Sequence, residues 1–308
     1  MNYFDLHCDT ITECLNKNQL LNENTLQLSL ARGCSCSPWF QCFAAWIPDT
    51  FRGKDAIELF DKINQKFKEE INLNQNKMMQ CRTKADFLLA AKQHKCGAIL
   101  TVEGGAALAG SFEKIAYLAD CGVKVLTLTW NGNCEIGDGA MVENPHGLTQ
   151  FGKKAISELE RCGIVIDVSH ASEPLFYDVA QQSTKPFIAT HSNARKICKH
   201  QRNLTDEQFT IIKNRGGLVG LNFYPNFLND KNVANFDDIL CHAEHFLSLG
   251  GEKVLAIGSD FDGATMPNGI SGIESVEELA NYFLKHNYSQ ELVDAIFFQN
   301  AYNFFVSL

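Results

Sequence analysis

Along the 308-residue chain, short apolar runs alternate with longer stretches whose apolar residues recur every three or four positions. Runs of the first kind suit strands and those of the second suit amphipathic helices. The short runs predict eight strands: Tyr3–His7, Gln41–Ile47, Gly97–Val102, Val123–Thr129, Gly163–Val168, Pro186–Thr190, Gly217–Phe223 and Lys253–Gly258. The long stretches predict helices near 54–72, 84–93, 111–120, 150–161, 173–182, 205–214, 236–249, 275–285 and 289–306. Thr205 followed by Gln208 has the spacing of a capping box. Gly122, Gly163 and the Gly216-Gly217 pair stand where helices would exit into an apolar run.

Strands that alternate with helices predict parallel βα units. The runs "CGIVIDV" and "GGLVGLNF" are apolar almost throughout, as strands covered on both faces are. Eight such units predict an α/β fold of the (β/α)8, TIM-like barrel type. A doubly wound sheet is the competing arrangement, and it is weakened because no G-x-G-x-x-G follows the first strand. No Pro/Gly/Ser-rich linker divides the sequence, so residues 1–308 are expected to form a single domain.

Composition narrows the function. The net charge of −9 disfavours a general binder of phosphate backbones, so no nucleic acid partner is expected. No run of about 18 uncharged apolar residues is present, so no membrane association is expected. Asp5 and His7 fall where a secretory signal would be apolar. The expected location is therefore cytoplasmic, with the twelve cysteines reduced and used for packing. Cys34 and Cys36 form C-S-C and no C-x-x-C occurs, which argues against a zinc site built on thiolates.

In a barrel of this kind the chemistry gathers at the C-terminal ends of the strands. The first predicted strand ends in His7-Cys8-Asp9, where residues two apart share a face and Cys8 points away. The third ends at Glu103, the fifth at His170, the sixth at His191, and the eighth at Asp260 and Asp262. Three of the nine histidines thus end strands on one side of the barrel. Histidines with carboxylates suit zinc or a similar divalent ion. His7 and Asp9 could hold one ion, His170 and His191 a second, with Glu103 bridging. Two such ions can activate a shared water and polarise a carbonyl, a combination that reads as amide or ester hydrolysis. His242 and His245 are expected on a solvated helix face, and His94, His200 and His286 on the surface. His146, in the loop "GDGAMVENPHGLT", is expected to overhang the mouth as a candidate substrate contact.

The segments "DLHCDT", "TVEGG", "LTLTWNG", "HGLTQFG", "GIVIDVSHAS", "THSNARKICKHQRNLTDEQ", "GGLVGLNFYP" and "IGSDFDG" together resemble the membrane or renal dipeptidase family of zinc dipeptidases, in its bacterial cytoplasmic form. The resemblance implies two zinc ions, or other divalent ions, held by His7, Asp9, Glu103, His170 and His191, with Glu103 as the bridge. It implies hydrolysis of dipeptides by a hydroxide shared between the ions. Arg202 would bind the substrate carboxylate, Asp260 would manage the proton, and Asn222 and Tyr224 would lie near the substrate. A homodimer is a further implication. Several family members carry a histidine where this chain has Trp130. Either the indole replaces that contact, another group such as His146 does, or the substrate range differs. The alternative function is a binuclear hydrolase of the same barrel acting on a cyclic amide or lactam.

Overall fold

The structure, a computed structural model, describes residues 1–231 and 233–308. Eight strands are β1 (Tyr3–Cys8), β2 (Trp39–Trp46), β3 (Met78–Gln80), β4 (Cys96–Glu103), β5 (Val123–Thr127), β6 (Val165–Asp167), β7 (Val219–Leu221) and β8 (Leu255–Ile257). All named pairs are parallel, in the order β6-β5-β4-β2-β1-β8-β7, with β3 added beside β4. The predicted strand at 186–190 closes the ring through single bridges, Asp167 to Ile188 on one side and Ala189 to Val219 on the other. All eight predicted strands therefore take part in the barrel. β3 is the strand that the pattern missed, because three residues are too few to show a period.

The helices are α1 (Thr10–Asn16), α2 (Gly53–Leu73), α3 (Lys84–Gln93), α4 (Phe112–Cys121), α5 (Gln150–Arg161), α6 (Glu173–Gln182), α7 (Asp206–Asn214), α8 (Pro225–Leu228), α9 (Phe236–Ser248), α10 (Val276–Lys285), α11 (Gln290–Asp294) and α12 (Asn300–Ser307). The capping box at Thr205 and Gln208 is formed in both directions. Gly122, Gly163 and Gly216 all adopt positive φ at helix exits. The helix expected over 289–306 is broken by a π segment, Ala295–Gln299, which buries the consecutive Ile296, Phe297 and Phe298. A regular α-helix would turn one of these outward.

An inner cluster includes Phe4, Phe40, Ile99, Val125, Val165, Ile188, Leu218 and Ala256, each on or directly beside a strand of the ring. The chain end plugs the ring from below: Phe305 stacks on Phe4 at 5.2 Å, and Phe298 lies 6.2 Å from Phe40. Between Asp5 and Cys8 the β1–β2 register slips by one residue. Phe4 therefore belongs to the inner cluster and Cys8 to the outer one. That change of phase aims His7 at the mouth and turns Cys8 away from it.

Candidate metal centre and substrate cavity

At the C-terminal ends of the strands, three imidazoles and three carboxylates converge. His7 Nε2 lies 3.3 Å from Asp9, 3.7 Å from Glu103 Oε2 and 3.9 Å from Asp260. Glu103 Oε1 lies 2.8 Å from His170 Nε2 and 3.5 Å from His191 Nε2. The two oxygens of Glu103 thus face different histidines. His170 Nε2 and His191 Nε2 are 3.0 Å apart. All six residues are buried except Asp260, which is partly so.

Each element aims its side chain through a local contact. The far nitrogen of His170 meets Asn131 Oδ1 at 3.0 Å, and that of His191 meets Thr190 Oγ1 at 2.8 Å. These contacts turn both Nε2 atoms toward Glu103, the way outer partners orient metal-binding imidazoles. Asp260 adopts a positive φ of 64° after β8, and Asn222 Nδ2 donates to its Oδ2 at 3.0 Å. A Cβ on Gly263 would come within 2.1 Å of Asp9 and 2.6 Å of Asp260, so only glycine fits beside these carboxylates.

Burial and charge set the protonation states. Burial works against the His7 imidazolium, but Glu103, Asp9 and Asp260 outweigh it and push its pKa up to about 10. Burial, with Arg202 and His7 nearby, drives His170 and His191 well below the usual histidine range. Burial raises Glu103 and Asp260 above the usual carboxylate range, although His7 opposes this. These effects favour the neutral imidazole at His170 and His191, the form that binds metals.

The cavity over this cluster measures about 680 Å³. Asp9, Glu103, His170, Asp260 and Arg202 reach it, and Trp46, Trp130, Tyr224 and Phe227 wall it. Arg202 is buried, its guanidinium lies 5.2 Å from the Phe227 ring, and none of its three side-chain nitrogens has a hydrogen-bond partner among the described residues. Burial lowers its pKa to about 10. Among the described residues Asp9 Oδ1 is likewise buried without a partner, and His7 Nε2 makes no hydrogen bond although three carboxylates surround it. An unpaired buried polar atom is costly, so atoms of this kind mark places where a ligand belongs.

Of the residues singled out from sequence, His7, Asp9, Glu103, His170, His191, Asp260, Arg202, Trp130 and Tyr224 meet here, and Asn222 joins through Asp260. His146 does not: its side chain is 93% exposed beside Asp138. Asp262 also lines the cavity, but it accepts from the Thr10 hydroxyl and the Gln27 N–H, and so fastens the loop before β2. His242 is fully buried rather than solvated, because its imidazole joins the Ala194 N–H to the Leu228 carbonyl. His200 is half-buried, and its Nδ1 accepts the Arg202 N–H. Asn131, Trp46 and Phe227 were missed. Only the "TWNG" run hinted at Asn131.

Comparison with known proteins agrees with this fold. The chain superimposes on a crystal structure of dipeptidase AC, described as a metallo peptidase of family M19, with a TM-score of 0.92 at 27% identity over 98% of this chain and 97% of that one. A metallo peptidase from Rhodobacter sphaeroides, liganded with a phosphinate mimic of the dipeptide L-Ala-D-Ala, gives 0.93 at 25% identity over 100% and 99%. Dipeptidase 3 of Macaca fascicularis is 30% identical over 221 residues, 70% of this chain. The match spans 45% of that relative, about half its length. Among the described residues no helix is long and apolar enough to cross a membrane. Residues 1–306 match the sequence model of the membrane dipeptidase family, and the chain belongs to that family, peptidase family M19.

Proposed function

We propose that this chain is a metal-dependent dipeptidase that hydrolyses the amide bond of dipeptides with a free C-terminal carboxylate. The observation that carries this reading is Arg202, a buried cation with three unpaired nitrogens on the wall of the cavity above the histidine–carboxylate cluster. A planar guanidinium matches a carboxylate through two parallel hydrogen bonds. A cyclic amide without a carboxylate would leave that cation unpaired, so the dipeptide is the favoured substrate class.

The donor set fits two divalent ions, zinc by its mixture of imidazole and carboxylate. His7, Asp9 and Glu103 would hold one, and Glu103, His170 and His191 the other. The unpaired Asp9 Oδ1, the His7 Nε2 without a hydrogen bond among the described residues, and the glycine cradle at Gly263 support that fit. When bound, such ions lower the pKa of water and polarise a carbonyl. The chain's own groups do the rest. Arg202 fixes the substrate carboxylate, which places the amide over Glu103. Asp260, oriented by Asn222, takes a proton from the attacking water and delivers it to the leaving amine nitrogen. Trp130 and Tyr224 bound the substrate at the sides. His146 stays outside the reaction.

The test is hydrolysis of a panel of L,L and L,D dipeptides by zinc-loaded protein with and without chelator. Cleavage should require metal, and dipeptides amidated at the C-terminus should be poor substrates. Arg202→Ala should raise KM for free dipeptides roughly 10- to 100-fold, the worth of a charge-assisted contact. Equal cleavage of free and amidated dipeptides would sink the reading.

A further inference from the structure

The reading above leaves Trp46 without a role. It ends β2 directly opposite Glu103 in the β2–β4 ladder. Paired residues of neighbouring strands point to the same side of a sheet, so Trp46 stands beside Glu103 and lines the cavity. Its backbone is pinned: the N–H donates to Thr12 Oγ1 at 3.1 Å, and that hydroxyl donates to the Ala44 carbonyl at 2.9 Å. Its indole packs edge-on against Trp130 at 5.1 Å, and Trp130 lies 6.3 Å from the His170 ring.

Trp46 Nε1 is buried and has no acceptor among the described residues. The other unpaired atoms at this site belong to His7, Asp9 and Arg202, and each has a ligand assigned above. Trp46 offers a donor only, so the missing partner is an acceptor. Its position says which one. Around the ring, β2, which Trp46 ends, and the strand at 186–190, which precedes the segment carrying Arg202, lie on opposite sides, and both residues line the same cavity. A dipeptide with its carboxylate on Arg202 directs its amide and N-terminal residue toward Trp46. On that half, the acceptor present in every dipeptide is the carbonyl oxygen of the scissile amide, because the α-ammonium can only donate.

We propose that Trp46 Nε1–H donates a hydrogen bond to the scissile carbonyl oxygen and is a further catalytic contact of this reaction. The inference rests on the dipeptidase reading and deepens it. The water oxygen bonds to the carbonyl carbon, and the C=O π pair moves onto the oxygen that Trp46 faces. The pair then returns, the C–N bond breaks, and the amine leaves with the proton from Asp260. The indole keeps its own proton throughout. Its hydrogen bond strengthens as the oxygen gains charge, so it acts on kcat more than on binding.

Trp46→Phe keeps a ring against Trp130 and deletes the donor. Its kcat should fall roughly 10- to 100-fold with KM little changed, by the same factor for small and large dipeptides. Calorimetric affinity for a phosphinate dipeptide mimic, whose tetrahedral oxygen stands for the charged one, should fall similarly, with metal content unchanged. Trp46→Tyr, which restores a donor, should recover part of both. In the unaltered protein, the indole N–H resonance of Trp46, one of three tryptophans, should move downfield when the phosphinate binds. That measurement needs no variant to fold. An unmoved resonance, wild-type kcat in Trp46→Phe, or a loss confined to KM for acceptor-bearing side chains would each overturn the assignment. Wild-type protein that cleaves no dipeptide overturns the parent reading instead.

Discussion

Asp167 accepts from the hydroxyls of Thr127, Ser169 and Thr190 at 2.6 Å each, and from the backbone N–H groups of Ser169 and Thr190. Thr190 in turn meets His191 Nδ1. On the other side of the mouth, Asp5 accepts from the Ser259 hydroxyl and N–H and from the His7 N–H. These two buried carboxylates tie the segments that carry His170, His191 and Asp260 to the strands beneath them. Asn131 extends the same support to His170, which gives a direct test. Asn131→Ala should weaken metal retention roughly 10- to 100-fold, as loss of an outer partner does. Titration of the variant with zinc checks this, and unchanged affinity would remove Asn131 from the support. Asp260→Asn should keep its metal and lose kcat by about 10²- to 10⁴-fold, the usual worth of a positioned acid–base. At this scale, the residues at strand ends were legible because topology alone brings them to one mouth. Arg202 was not: it lies in the irregular segment between His191 and α7, where no period places a side chain, and only resemblance to the family pointed to it. Trp46 was invisible for a different reason. As the last residue of an apolar strand it looks like core, and only the ladder with β4 puts it beside Glu103.

Predicted and observed elements differ most in the short strands. β6, β7 and β8 hold three residues each, although the apolar runs behind them are six or seven long. Apolar character continues where the ladder has stopped, because side chains take over the backbone groups. Asn193 does this for Asn222 by accepting its N–H and donating to its carbonyl. The helix α9 shows the same substitution from the other direction. The sequence places His242 on a solvated face, since two histidines three apart on a helix give no sign of burial. In the fold, His242 bridges the segment after His191 to the end of α8, accepting from Ala194 and meeting the Leu228 carbonyl. Burial lowers its pKa from 6.5 to about 4. The sign follows from proton uptake. Between pH 6.5 and 4 the unfolded chain binds a proton there that the folded chain does not, so stability falls as pH falls through that window. The shift corresponds to a loss on the order of 3 kcal/mol by its lower end. His242→Gln should lower stability at neutral pH by about 1–3 kcal/mol, through a lost bond and an unpaired backbone group. It should also flatten the dependence of the urea midpoint between pH 6.5 and 4. Parallel curves for the two proteins would show that His242 does not govern this limb.

The whole barrel was legible because strand and helix periods alternate cleanly, and because burial on both faces makes the parallel strands apolar throughout. Its lower end, plugged by Phe298 and Phe305 against Phe4 and Phe40, is held by apolar packing, with Asn300 Nδ2 donating to the Glu252 and Leu255 carbonyls. Its upper end is the reverse. There the chain buries Asp9, Glu103, His7, His170, His191 and Arg202 with several polar atoms unpaired, an arrangement that costs stability unless a ligand compensates it. This polarity between the two ends predicts how the molecule responds to removal of divalent ions. An ion present at about a thousandfold excess over its Kd stabilises the folded state by about 4 kcal/mol. Chelation should therefore lower the melting temperature by several degrees, and restored zinc should return it. Far-UV circular dichroism below the melt should hardly change, because the ladder and the lower core do not use the ion. Hydrogen exchange should quicken in the loops after β1, β4, β6 and β8 and stay slow in β1, β2 and β4. Protection lost evenly over the barrel on chelation would mean that the two ends are coupled, and that the site contributes to folding of the whole ring rather than to its mouth.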